Sequence, residues 1–304
     1  MRFGKTKIFT WSLYDFANTI FSMNVVSLNF PLMIKNNYGG ADLDLSLARS
    51  SAMVLVALTM PLAGTIADRF ERRMLPAFGF TLLCCLATIS LGRSDSMFIN
   101  LMLFALAVYS YQGALVFYNA VLPQVAGPGK IGRVSGYGVS LGYTGTIFGL
   151  IVVGSLAGPR CYSDAFALTA ILFFVFASPF FITVRDESPK PLKGLMAVTG
   201  SSIKGIIGVL RDARARPGIS LGGVWTTERP LLINLVGDNS KLAGYFGLFA
   251  LSGRMAAVGG PIIWGLTVLA FDSLGAIKYR FAVGSVLAMM IAGFFIMRKV
   301  PDAR

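Results

Sequence analysis

The chain has 304 residues, of which 55% are hydrophobic and 13% charged, and its mean hydropathy is +0.69. A water-soluble domain needs a larger polar share than this to cover its exterior, so the composition excludes one. The formal charge of +13 with no histidine excludes two further classes. Without His there is no Ser-His-Asp or Cys-His catalysis and no His-ligated metal. The basic residues do not cluster on a soluble module with groove-reading or stacking side chains, which argues against a nucleic-acid partner.

Eight apolar windows, starting near Ile8, Leu47, Met74, Met97, Val134, Phe166, Leu242 and Phe281, have the roughly 20 residues that a helix needs to cross a bilayer. They predict an all-α, polytopic membrane bundle. Three units follow from their spacing: residues 1–184 with six spans, 185–241 as a basic cytoplasmic linker, and 242–304 with two spans. With the N-terminus inside, 20 of the 27 basic residues fall in inner segments. The positive-inside rule then places both termini in the cytoplasm. The opening MRFGKTK leads into a span with no small-residue cleavage site, and so reads as a first membrane helix.

Span one carries Asp15, Asn18 and Ser22 at spacings of three and four, with Asn29 seven further on, which on an α-helix is one face. An ionisable group at that depth is a candidate for substrate or coupling-ion contact. A helix-start carboxylate reached by interfacial water is the plainer alternative. Between spans two and three stands GTIADRFERR, with Gly64, Asp68, Arg69, Arg72 and Arg73. An Asp at the negative end of one helix gains from Arg residues on the next turn; basic punctuation of an inner loop is the other reading.

Tyr109, Gln112 and Asn119 share a face of span four, with Tyr118 adjacent; solute contact and interhelical hydrogen bonding both fit. Gly138, Gly142, Gly145 and Gly149 form a small-residue stripe on span five, the pattern for close helix packing. In the linker, the apolar run 194–210 fits an interfacial helix or a re-entrant segment. Gly259, Gly260 and Pro261 interrupt span seven, and Arg254 is its one basic residue. Arg254 is a candidate partner for a substrate carboxylate or for Asp15. Cys84 and Cys85 lie within a span and Cys161 in an outer loop, so no disulfide framework is implied. No phosphate loop, metal-ligand cluster or nucleophile–base pair is present, so the expectation is a protein that is not an enzyme and has no cofactor.

The loop GTIADRFERR resembles the G-x-x-x-D-R-x-x-R-R signature of the major facilitator superfamily. WSLYDFANTIF in span one, FYNAVLP ending span four, GRVSGYGVSLGYTG entering span five and YFGLFALSGRMAAVGGPIIWG in span seven resemble the autophagy-linked vacuolar amino-acid effluxers and their bacterial relatives within that superfamily. The resemblance implies a secondary transporter in the bacterial inner membrane that exports amino acids or similar small solutes by alternating access. It also implies that Asp68 and its arginines form a charge relay steadying one conformation, and that a proton is a candidate coupling ion. Members of the family have twelve helices in two halves. Here GGVWTTERPLLINL resembles the approach to the eleventh helix, and helices seven to ten have no counterpart. That leaves three expectations side by side: pairing of two copies to complete the bundle, an inactive transporter, or a non-transporting scaffold.

Overall fold

The computed structural model describes residues 2–127, 129–157, 161–186, 244–246 and 262–297. The described residues form an all-α membrane bundle without strands. Span one is one continuous helical rod in three parts: α1 (Arg2–Phe21), a π-helix (Ser22–Asn29) and α2 (Phe30–Tyr38). Then follow α3 (Asp42–Phe70), α4 (Met74–Ser90), α5 (Met97–Ala120), the short α6 (Leu122–Ala126), α7 (Ile131–Leu156) and α8 (Tyr162–Thr183). Further on come α9 (262–270), a broken 3-10 turn (Asp272–Ile277) and α10 (Lys278–Met297).

Five described helices are long and apolar enough to cross a membrane: Gly4–Tyr38, Asp42–Phe70, Met97–Ala120, Ile131–Leu156 and Tyr162–Thr183. The third apolar window is a shorter case than the sequence suggests. Its helix, α4, has 17 residues, about 26 Å at 1.5 Å per residue. The corner at Arg73 starts it, and Gly92 in the left-handed region (φ 73°) follows its end. Most of the seventh window, including Arg254 and the Gly259–Pro261 break, lies outside the described residues, as does the linker from residue 187 onward.

The π-helix has a cause in the sequence. Pro31 sits one residue into α2, where in an α-ladder its ring would clash with the carbonyl of Ser27 and its missing N–H would leave a gap. Widening the ladder relieves both, and Phe30 N–H donates to Val25 O, five residues back. Two side chains lock this register: Asn29 Nδ2 donates to Asn24 O at 2.9 Å and Ser27 Oγ to Ser22 O at 3.1 Å. Both reach five residues back, whereas Thr10, Thr59, Thr65, Thr81 and Thr88 reach four. A π turn takes roughly one residue more than an α turn. Asn29 therefore leaves the face of Asp15, Asn18 and Ser22 on which α-helical spacing places it.

Aromatic side chains fill the centre. Tyr118 stacks on Trp11 and on Tyr14, each at 4.6 Å between ring centroids, and Phe21 packs on Tyr111 at 4.8 Å. These contacts run α1 antiparallel to α5. Tyr14 also meets Phe173 and Phe180 of α8 and hydrogen-bonds Thr81 of α4 at 2.7 Å. The stripe of small residues on α7 lies against α1 as its spacing predicts. A methyl group at Gly138 would stand 2.6 Å from Asp15 Oδ2 and 2.7 Å from the Trp11 ring. One at Gly145 would collide with Phe16 O, and one at Gly149 would stand 2.7 Å from Asn24 Nδ2. The opposite side of α7 exposes Tyr137, Tyr143, Ile147 and Ile151, the apolar surface a lipid-facing helix needs.

Candidate functional site

Two groups of polar side chains stand out, one inside the bundle and one where the connection between α3 and α4 turns. In the inner group, Asp15 and Asn18 are 4% and 6% exposed and Gln112 is 9% exposed. The Trp11–Tyr118 and Phe21–Tyr111 contacts set the antiparallel register, so Asp15 and Asn18 on α1 lie at the same depth as Gln112 on α5. Asn18 Oδ1, Asn119 Oδ1, Ser12 Oγ and Ser110 Oγ are buried without a hydrogen-bond partner among the described residues. A buried polar atom left unpaired is costly. Asp15 leans over Gly138, a position only a residue without a side chain leaves open.

Tyr118 and Tyr109 make hydrogen bonds between helices. Tyr118 is fully buried; its hydroxyl donates to Trp11 O at 3.0 Å, while Trp11 Nε1 donates to Tyr118 O at 3.3 Å. This reciprocal clamp joins α1 to α5. Tyr109 shares a 3.1 Å hydrogen bond with Thr59 of α3. Near the other end of the bundle a cavity of about 80 Å³ is lined by Asn24, Leu28 and Asn29 of the π-helix and by α7 and α8 residues including Val153 and Tyr162. Beyond it, Asn100 ties a corner together, accepting from Gly92 N at 2.8 Å and donating to Tyr38 Oη and Ser94 O.

The second group is built around Asp68. Its Oδ1 accepts from Arg73 Nε at 2.9 Å and Nη2 at 2.7 Å, and its Oδ2 accepts from Gly244 N at 2.7 Å. Arg73 Nη1 also donates to Ala120 O at 3.2 Å. One carboxylate thus joins the end of α3, the start of α4 and the helical turn 244–246, and through Arg73 the end of α5. Of the basic residues the motif offers, Arg73 makes this pair, with side-chain exposures of 17% for Arg73 and 7% for Asp68. The corner is tight: Glu71 takes φ 52°, the left-handed region that an L residue seldom adopts, and Arg72 N–H donates to Ala67 O. Gly64 is buried four residues before Asp68. Asp186, which no motif marks, accepts from Arg73 N at 2.9 Å and Met74 N at 3.1 Å.

No family model matches the chain. It is 26% identical over 253 residues to an uncharacterized protein of Aquifex aeolicus, covering 79% of this chain and 64% of that one. It is 30% identical over 155 residues to the uncharacterized MFS-type transporter YxiO of Bacillus subtilis, covering 47% of this chain and 36% of the relative. The chain therefore spans less than two thirds of the length of each of these curated relatives.

Proposed function

We propose that this protein is a secondary transporter of major-facilitator type, moving amino acids or similar small solutes across the membrane by alternating access. The observation that carries the reading is the bridge made by Asp68. A buried carboxylate paired with Arg73 and accepting from the backbone of Gly244 is a latch between the six-span half and the segment after the linker. It holds one conformation and releases another when its hydrogen bonds exchange for water. The similarity to a protein described as an MFS-type transporter supports the reading, and so does the level of Asp15, Asn18 and Gln112 inside the bundle, where polar groups without a task are selected against. A proton is the coupling ion that suits Asp15. Both termini face the cytoplasm in this reading, which the basic residues along 185–241 and at the termini support, and the bilayer is the principal partner. Among the described residues the polar wall belongs to the N-terminal helices, and pairing of two copies would enclose a solute on its other side.

Purified protein in liposomes, loaded with a panel of labelled amino acids and tested with and without a pH gradient, checks this. Flux of at least one solute that falls in Asp68→Asn and in Asn18→Leu is the expected result. Absence of flux for every solute, from protein shown to be folded, would replace the transporter by a membrane scaffold.

A further inference from the structure

We infer that Asp186 is a positioning residue for this latch, fixing the backbone of Arg73 so that its guanidinium reaches Asp68; the inference rests on the latch of the proposed function. The first N–H groups of α4 have no intrahelical partner, and a carboxylate at a helix N-terminus satisfies both their hydrogen bonds and their partial positive charge. Asp186 supplies it. Its Oδ1 accepts from Arg73 N at 2.9 Å and from Met74 N at 3.1 Å, and its Oδ2 from Met74 N at 3.3 Å. Gln124 Nε2 donates to Arg185 O at 2.7 Å, which anchors the neighbouring residue to α6. Arg73 is consequently held at both ends, by Asp186 at its amide and by Asp68 and Ala120 O at its guanidinium.

Asp186 and Gly244 both bond to the same Asp68–Arg73 pair. Breaking the hold at either one loosens the other. The Asp186 carboxylate and the Gly244 amide therefore act on one latch.

The test uses the full chain with Cys84, Cys85 and Cys161 replaced by Ala and a cysteine pair introduced as Thr65→Cys with Gly244→Cys. A Cβ at Gly244 stands 3.3 Å from Thr65 Oγ1, so the pair reports closure through its rate of disulfide formation under a mild oxidant. Asp186→Ala should slow the crosslink about tenfold, as expected for losing both a cap and a favourable dipole contact. Asp186→Asn keeps an acceptor but no charge, and should slow it about two- to threefold. Arg73→Ala is the reference for an open latch. A parental rate in Asp186→Ala, with Arg73→Ala slowed, overturns the inference. If the Ala protein cannot be recovered folded, a parental rate in Asp186→Asn does the same. Liposome flux is read separately: no flux from the parent with an Asp186-dependent crosslink removes the transport reading alone, whereas flux with an Asp186-independent crosslink removes this one alone.

Discussion

The Asp68–Arg73 pair makes an asymmetric prediction. Arg73→Ala removes the guanidinium that pairs with Asp68, a residue 8% exposed. Asp68→Asn removes the charge that needed a partner and keeps an acceptor for Gly244 N. Removing the cation from a buried ion pair costs on the order of 3 kcal/mol, so Arg73→Ala should lower the unfolding temperature in detergent clearly more than Asp68→Asn, which removes the charge itself. The opposite order would mean that the pair is solvated. Asn18 gives a second test. Its Oδ1 has no hydrogen-bond partner among the described residues, so Asn18→Leu should leave stability unchanged or raise it by about 1 kcal/mol, while flux falls. A stability loss with flux intact would assign Asn18 to packing. The sequence marks Asp68 and Asn18 because each is a polar residue at a telling spacing. Asp186 carries no such mark, since its partners are two backbone amides far away along the chain, and backbone donors leave no trace in composition.

Among the elements, α7 offers an internal control. Gly145 and Gly136 lie on the same helix, but a methyl at Gly145 meets Phe16 O and the Thr19 hydroxyl, whereas one at Gly136 meets nothing within 4 Å. Gly145→Ala should destabilise by roughly 1–3 kcal/mol through overpacking, and Gly136→Ala should stabilise by about 0.5–1 kcal/mol through helix propensity. Thermal unfolding of the two proteins side by side checks it; equal effects would separate α1 from α7. The all-α membrane bundle and the role of the glycine stripe were legible in the sequence because both are periodic signals, and periodicity survives in a helix whatever it packs against. The π-helix was not, for it depends on how one proline and two side-chain hydrogen bonds trade against the ladder. That is why α-helical spacing groups Asn29 with Asp15 although the chain separates them, and why it overlooks Asn24, which is 1% exposed beside the cavity.

At the scale of the whole molecule, the distribution of basic residues predicts an outward-facing Cys161. The described structure exposes this thiol and buries Cys84 and Cys85. A membrane-impermeant maleimide added outside intact cells should therefore modify the unaltered protein at Cys161 alone, and the same reagent confined to the inside should leave it unmodified. Labelling from the inner side would invert the topology.

The widened ladder between Ser22 and Asn29 also means that span one holds more residues than its path requires. Excising one residue within that interval should take up the surplus residue while the faces on either side keep their neighbours, with Pro31 then left to kink the ladder. A deletion that would rotate half of any other span is here compensated by the turn it removes. Tolerance to single-residue loss should consequently peak at this interval, and a map of deletions along the span would locate it without any structure at all.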